Sequence, residues 1–382
     1  MKSKVLVVDD SPINRKIIAS SLTAKLSGIE IVEAADGYEA LNILGEAEIS
    51  VVLQDIMMPG MDGIATLEAI KARPELKNIP VIMVTALSEI ELVEKALSLG
   101  ALDYLTKPLT AEQIKITLPL KVKNALEFYE QKKQLLLFHQ HMTDEMQLAE
   151  SLQKSMIVEQ GEWNGIKLWG RYIPCEDIGG DFFHCLPVGH RVWLIIADVW
   201  GHGIAAAMIS TMLTVMFNAA VQQLETPGAV LESMNRMLLN VFQNSRYSVV
   251  SAFVACVDRE KVHYANAGHP YPVIYHRKEQ HLYQLESPGL LLGVSEQAEY
   301  PTLEMGFGLG DRLLMYTDGI FDKGGPEGFA GWPLVYEYCR DHAGDFDEDL
   351  PGALDRMIDY FTKRQGHGFI DDAAVMLICR NA

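Results

Sequence analysis

Cysteine is scarce in this chain and never paired. The 382 residues include five, Cys175, Cys185, Cys256, Cys339 and Cys379, without a Cys-x-x-Cys pair or zinc spacing. That excludes a disulfide framework and a zinc module, and an odd count reads as reduced thiols in cores. Basic charge is also short, with 32 Lys and Arg against 51 Asp and Glu for a formal net charge of −19. Nucleic acid and anionic membranes, which demand basic patches, are excluded as main partners. The chain lacks a Gly-x-x-x-x-Gly-Lys-Ser/Thr loop and a His-Arg-Asp motif, so ATP is not an expected substrate. Long apolar runs are nearly absent. The exception, Ile204 to Val221, contains Ser210, Thr211, Thr214 and Asn218 and reads as a buried helix of a soluble protein rather than a membrane span. Met1-Lys2-Ser3-Lys4 runs directly into a structured segment, so no signal peptide is expected and a cytoplasmic location is.

What is present is acidic and organised. At this length two to three domains are expected. Four aspartates in the second two-thirds sit in distinct local motifs: Asp181 in Gly179-Gly180-Asp181-Phe182-Phe183, Asp198 in Asp198-Val199-Trp200-Gly201-His202-Gly203, Asp318 in Tyr316-Thr317-Asp318-Gly319, and Asp371 in Asp371-Asp372-Ala373-Ala374-Val375. Bare carboxylates gathered in one cleft repel by about 4 kcal/mol per close pair at an effective dielectric near 20. Such a cluster needs cations, and oxygen-only ligands favour Mg²⁺ or Mn²⁺ over zinc.

From Lys4 to about Lys123, short apolar runs (Val5–Val8, Val51–Leu53, Val81–Val84, Tyr104–Leu105) alternate with amphipathic segments such as Ile13–Leu26 and Ile64–Ala72. Repeats of this kind predict a doubly wound, five-stranded parallel sheet with its crevice at the carboxyl ends of the strands. Asp9, Asp10, Asp55, Thr85 and Lys107 fall at those ends. Asp36-Gly37 and Asp62-Gly63 read as ordinary caps or turns. The constellation closely resembles the receiver domain of two-component response regulators, a flavodoxin-like α/β fold. The resemblance implies that Asp9 and Asp10 bind Mg²⁺, that Asp55 is both metal ligand and phosphoryl acceptor, and that the Met57 carbonyl completes the shell. It implies further that Lys107 and Thr85 hold phosphoryl oxygens, that Tyr104 is an aromatic switch, and that a sensor histidine kinase or phosphotransfer protein is the donor. Phosphoryl transfer needs in-line attack, a cation and a positive clamp, which these residue types supply.

After Pro119 the chain is helix-forming and charged up to about Met156. A column in sevens, Phe128, Leu135, Met142, Ala149 and Met156, is apolar throughout, and its companion, Gln131, Phe138, Glu145 and Leu152, is mixed. A modest coiled coil that makes a homodimer is expected, the alternative being a helix packed on its own domains. The domain plan is therefore residues 1–123, a helical linker over 124–158, and a second domain over 159–382.

The second domain turns to short strands (Val192–Ala197, Val249–Val257, Val262–Ala265, Val273–His276, Arg312–Tyr316, Ala374–Cys379) and three helices, Ile204–Leu224, Ala229–Phe242 and one near Leu350–Lys363. An antiparallel β-sandwich flanked by helices, an α+β domain, is expected. The order and contexts of the four aspartates look like the metal-dependent PPM (type 2C) protein phosphatases, in the SpoIIE and RsbU branch. Asn266-Ala267-Gly268-His269-Pro270 and Gln147-Leu148-Ala149-Glu150-Ser151-Leu152-Gln153 extend the likeness. It implies that Asp198 bridges two Mn²⁺ or Mg²⁺ ions with the Val199 carbonyl in the shell, that Asp318 and Asp371 hold the first ion, and that Asp181 serves the second. Water acidified by two cations would attack a phosphoserine or phosphothreonine, the implied partner being a phosphorylated STAS-type anti-sigma factor antagonist. His184, Trp200, Ala374 and Asp322 depart from the family pattern; His184 and Trp200 could weaken the second metal or reshape substrate entry. His202 and His269, among glycines, read as turn residues rather than general acids. Asp318-Gly319 by itself is merely a favoured turn. The alternative to a receiver-controlled phosphatase is a catalytically silent adaptor that binds a sigma factor or regulator.

Overall fold

Five strands and the helices between them build the first unit of this computed structural model, which describes residues 2–86, 90–242, 249–321, 332–342, 344, 349–366 and 369–381. The strands β1 (Ser3–Val8), β2 (Ile29–Ala34), β3 (Val51–Asp55), β4 (Val81–Ala86) and β5 (Asp103–Lys107) pair in parallel in the order β2-β1-β3-β4-β5. That is the expected doubly wound sheet. Alternate residues serve opposite faces. Val5 and Val7 join Leu53 and Ile82 in one core, whereas Leu6 and Val8 join Val52 and Met83 in the other. Because both faces are covered, the central strands carry no polar alternation.

The helices α1 (Pro12–Lys25), α2 (Gly37–Glu46), α3 (Gly63–Ala72) and α4 (Ile90–Ser98) fill the crossovers. Ser11, Asp36 and Asp62 cap the first three by accepting from the backbone N–H groups of Asn14, Glu39 and Ala65, so both Asp-Gly pairs are caps as expected. A fifth helix, α5, runs unbroken from Leu118 to Met156. Pro119 sits in its first turn, where a missing N–H costs nothing. Its early residues Leu118, Val122 and Ala125 are fully buried in the core of the first unit. The chain divides into two compact units, Met1–Thr143 and Asp144–Ala382, with the division inside α5.

The second unit holds two antiparallel sheets. One has β8 (Phe182–Val188), β9 (Arg191–Val199), β10 (Val250–Asp258), β11 (Lys261–Ala267) and β14 (Leu303–Gly306) in the order β14-β11-β10-β9-β8. The other combines β6 (Gln160–Trp163), β7 (Ile166–Ile173), β12 (Val273–His276), β13 (His281–Gln284), β15 (Arg312–Tyr316) and β16 (Ala373–Arg380), in the order β13-β12-β15-β16-β7-β6. Side-chain parity explains the layers. Along β9, Val192, Leu194 and Ile196 point into the core shared by the sheets, with Phe253, Met315 and Met376. Trp193, Ile195, Ala197 and Val199 point the other way, under α6 (Ile204–Val221) and α7 (Pro227–Val241). On the far side, Leu314, Tyr316 and Leu377 pack beneath α8 (Trp332–Asp341) and α9 (Leu350–Gln365). The result is a helix–sheet–sheet–helix sandwich, in which each fully buried large apolar side chain contributes about 1.5–3 kcal/mol. The charge-free Ile204–Val221 stretch is a helix of this sandwich, with Leu213, Phe217 and Val221 in its core.

Candidate functional site

In the first unit the polar residues collect where the strands end. Asp9 follows β1, Asp55 ends β3, Thr85 lies near the end of β4 and Lys107 ends β5. Asp9 is buried and accepts from the Ser11 N–H (2.9 Å), from Asn14 Nδ2 (3.1 and 3.2 Å) and from Lys107 Nζ (2.8 Å). Lys107 Nζ also lies 2.7 Å from Asp55 Oδ2. Burial pushes the Asp55 carboxyl above the ordinary range, and the Lys107 ammonium and the Met57 N–H only partly offset it. Burial alone would lower Lys107, but its bonds to Asp55 and Asp9 outweigh that and raise it. Asp9, Asp10 and Asp55 each present an oxygen within 4.8 Å of the others. Asp10 is exposed, so this oxygen triad is open to solvent on one side. Thr85 is buried at the next strand end, while Tyr104 is exposed on β5 with Lys121 Nζ 6.0 Å from its ring centre. Gly63 allows this packing, since a Cβ there would stand 2.1 Å from the Asp55 carbonyl oxygen.

In the second unit the four aspartates come from four strand termini. Asp181 precedes β8, Asp198 lies at the end of β9, Asp318 follows β15 and Asp371 precedes β16. Three devices bring them together. The β15 and β16 ends are stitched by Thr317, whose N–H donates to the Ala374 carbonyl (2.9 Å) and whose Oγ1 accepts from the Ala374 N–H (2.8 Å). Gly319 lets the backbones of 318–319 and 371–372 touch, because a Cβ there would stand 1.8 Å from the Asp372 carbonyl oxygen. The Asp318-Gly319 pair is thus a close approach and more than a favoured turn. Asp372, buried between the sheets, accepts from Cys175 N (2.9 Å) and Gly180 N (2.7 Å) and so pins the Gly179–Asp181 turn. Charge-assisted bonds of this kind are about twice as strong as neutral ones.

Asp181 is 2% exposed, and its Oδ2 has no hydrogen-bond partner. Burial first, then the neighbouring charge of Asp198, holds its carboxyl well above the usual range, with Asp372 and Asp318 adding to the rise and the Thr317 hydroxyl opposing it. Asp198 pairs across the ladder with Ser251, and the Val199 carbonyl oxygen would be 2.8 Å from a Cβ on Gly180. Asp198 and Asp318 both line a cavity of about 580 Å³ walled by Gly268, Pro270, Tyr271 and Leu291. Asp371, Asp372 and Cys175 present ligand atoms within 4.8 Å of one another, and Asp181, Asp198 and Asp318 stand outside that tight group. An orphaned buried carboxylate oxygen, acidic neighbours and a carbonyl facing a glycine fit an oxygen-ligated divalent cation.

The histidines do other work. His269 is buried with Nδ1 2.7 Å from the Ser251 hydroxyl, and burial lowers its pKa to about 3. Burial therefore favours its neutral form. Asn266 brackets it through bonds to the His269 N–H and carbonyl (2.7 and 2.9 Å), a turn role as expected. His202 is exposed beside Glu176 at 3.1 Å. His184 does not face the carboxylates. Its Nδ1 lies 3.1 Å from the Met156 carbonyl and its ring meets Phe217 edge-on. Trp200 is exposed and outside the cavity lining. Asp322 lies outside the described residues. Asp372, Thr317 and Gln153 each lie in a run quoted above, Asp371-Asp372, Tyr316-Thr317-Asp318-Gly319 and Gln147–Gln153, but none was given a role in building the site.

Comparison with known proteins follows the same division. Residues 5–118 match the response regulator receiver domain, and residues 188–381, just over half of the chain, match the stage II sporulation protein E (SpoIIE) family. Asp198, Asp318 and Asp371 lie within the second match, and Asp181 seven residues ahead of it. The chain is 27% identical over 241 residues to the phosphoserine phosphatase RsbP of Bacillus subtilis, covering 61% of this chain and 57% of RsbP. It is 24% identical over 255 residues to the phosphoserine phosphatase RsbU of the same organism, covering 66% of this chain and 75% of RsbU. Among solved structures, the SiaA-PP2C domain of Pseudomonas aeruginosa matches with a TM-score of 0.53 at 19% identity, over 64% of this chain and 98% of that one. That likeness speaks to fold, and it is the helix-flanked sandwich described above. The chain belongs to the SpoIIE family, a PPM-type phosphatase domain preceded by a response regulator receiver domain.

Proposed function

We propose that the protein is a metal-dependent protein serine/threonine phosphatase controlled by phosphorylation of Asp55. The observation that carries the reading is Asp181. A buried carboxylate with an orphaned oxygen, acted on by Asp198, Asp372 and Asp318 and by the Thr317 hydroxyl, costs several kcal/mol unless a cation joins it. In this reading Asp198 would serve both of two Mn²⁺ or Mg²⁺ ions with the Val199 carbonyl joining the shell, Asp318 and Asp371 would hold the first, and Asp181 would serve the second. When bound, such ions neutralise the carboxylates and acidify water, enough for hydrolysis of a monoester without a protein nucleophile. The chain's own part is positional. Asp372 and Thr317 fix the two turns that carry ligands, and the cavity beside Asp198 and Asp318, walled by Tyr271, Pro270 and Leu291, has room for a phosphoseryl side chain and its flanking peptide. His269, held toward its neutral form by burial beside Ser251, is assigned no proton transfer in this reading.

In the receiver, Asp9, Asp10, Asp55 and the Met57 carbonyl would hold Mg²⁺. Lys107 and Thr85 would take phosphoryl oxygens, with a histidine kinase or phosphotransfer protein as donor and Tyr104 as the reporter. The named activity of RsbU and RsbP supports phosphoserine as substrate, here on a STAS-type anti-sigma factor antagonist in a partner-switching pathway in the cytoplasm. Leu135, Phe138 and Met142 on α5 are exposed, which supports dimerisation through that helix; sedimentation as a monomer would remove it.

The test is Mn²⁺-dependent hydrolysis of a serine-phosphorylated STAS protein by the full chain, with and without beryllofluoride on Asp55. Asp198→Asn should lower turnover by about 10³-fold or more, the scale of losing a group that acts only in the transition state. Turnover within a few-fold of the parent would leave a silent adaptor as the better description. Equal rates with and without beryllofluoride would separate the receiver from the chemistry.

A further inference from the structure

The end of α5 enters the phosphatase unit through one buried amide. Gln153 is 7% exposed, three residues from the helix terminus. Its Nε2 donates to the Gly179 carbonyl (2.6 Å) and to Ser210 Oγ (3.3 Å), and its Oε1 accepts from the Gly179 N–H (3.3 Å). One side chain therefore engages both backbone groups of Gly179, as a neighbouring strand would. Gly179 stands two residues before Asp181. On its other side the turn is closed by Asp372, which takes the Gly180 N–H. No side chain fits at 179, since a Cβ there would meet Asp372 Oδ2 at 2.1 Å. The last residue of α5 makes a second attachment, because the Met156 carbonyl accepts from His184 three residues beyond Asp181. Asp181 is thus held between two grips of the same helix end, and the opposite end of that helix is buried in the receiver core.

The geometry assigns Gln153 the role of a positioning residue. We propose that it couples the seating of α5 to the Gly179–Asp181 turn, and so sets the affinity of the Asp181 side of the site for a divalent cation. A backbone shift of about 1 Å at a ligand turn is enough to spoil ligation, and residues that orient ligands are typically worth 10–100-fold in metal affinity. Glutamine suits the task because its amide offers a donor and an acceptor at once. Methionine has its length and neither function. Glutamate keeps an acceptor for the Gly179 N–H but turns a lone pair toward the Gly179 carbonyl. The inference rests on the phosphatase reading, because it concerns the cation that reading requires.

The experiment uses the full chain and Mn²⁺ alone as probe. Mn²⁺ binding is measured by calorimetry, thermal melting without metal reports fold integrity, and Mn²⁺-dependence of phosphopeptide hydrolysis separates affinity from turnover. For Gln153→Met and Gln153→Glu the weaker Mn²⁺ dissociation constant should rise at least tenfold, with most of the turnover recovered at saturating Mn²⁺. His184→Phe, which releases the Met156 carbonyl and keeps an aromatic edge beside Phe217, should weaken the same site about threefold. Parent-like Mn²⁺ affinities in Gln153→Met overturn the proposal. If Gln153→Met does not fold, parent-like affinity in a folded His184→Phe overturns it instead. Asp198→Asn in the same calorimeter separates the two readings. Its undiminished binding would sink the phosphatase assignment, whereas its loss beside an unchanged Gln153→Met sinks only the role of Gln153.

Discussion

The two acidic sites in this chain solve the same electrostatic problem in opposite ways. Each gathers carboxylates at the ends of strands, where backbone direction brings short side chains together. In the receiver a lysine is built in, and Lys107 reaches Asp9 and Asp55 at 2.8 and 2.7 Å. In the phosphatase unit the groups acting on Asp181 are other aspartates and one hydroxyl. A carboxylate pair with its own ammonium is balanced before any ion arrives, and a cation there would add function to a finished structure. A buried carboxylate among carboxylates would, in the proposed reading, be completed by a cation. The first arrangement suits a site that must wait for a signal, and the second suits one whose chemistry and fold share a single requirement.

That contrast is tested most strongly by metal itself. At about 100 times its dissociation constant, a ligand that binds only the native state adds about 2.7 kcal/mol, or roughly 5–10 °C for a domain of this size. Mn²⁺ should raise the phosphatase melting transition by that much over EDTA, and move the receiver transition by about 2 °C or less. Asp181→Asn should raise the metal-free transition by roughly 2–4 °C, as about 1 kcal/mol of repulsion is relieved, and should abolish most of the Mn²⁺ shift. Equal Mn²⁺ shifts in both domains would erase the distinction. The next effect is on the receiver. Lys107→Met leaves Asp9 and Asp55 buried without their ammonium. Breaking buried pairs costs about 3–5 kcal/mol, which the 25% exposure of the Lys107 side chain reduces to about 2 kcal/mol through solvent screening. Urea unfolding should show that loss in the receiver transition alone, with part of it restored by Mg²⁺. No loss would mean that the lysine serves phosphoryl recognition only.

The same contrast explains what was legible in the sequence. Asp9, Asp55, Thr85 and Lys107 could be named because each ends a strand in a fold whose crevice lies at strand ends, and the residues before each are an apolar run of recognisable length. The phosphatase strands from Val192 onward were visible for the same reason, yet β6, β7, β8, β13 and β14 were not distinguished, being short or half-polar. For the residues that assemble the site across long sequence distances, the local motif does not tell which group each will hold. Asp372 reaches Cys175 and Gly180, 197 and 192 residues away. Gln153 closes the Gln147–Gln153 run quoted for its likeness, but nothing in that run says that it holds Gly179. His184, set among motif residues, invited a place at the metal. Period-two alternation on β8 decides otherwise, placing it on the face of Phe182, under α6, where its ring meets Phe217.

The smallest effect concerns pH, and its sign separates two buried groups in the same unit. His269 is held neutral, its pKa near 3 because of burial, against about 6.5 in the unfolded chain. Its contribution to stability is complete above about pH 6.5 and is lost as pH falls toward 3, since the unfolded state then binds the proton first. Asp181 has the opposite sign. Its raised pKa means that the native state takes a proton before the unfolded one, so lowering the pH favours folding. The parent protein without metal reports the difference of the two. In His269→Gln, which keeps the backbone bonds to Asn266, only the carboxylate contribution remains. Between pH 7.5 and 6.0 the parent should therefore lose about 0.8 kcal/mol relative to the variant, the cost set by an unfolded histidine titrating near 6.5. Parallel pH profiles would mean that His269 titrates in the fold as it does in the unfolded chain, and that burial does not hold it neutral.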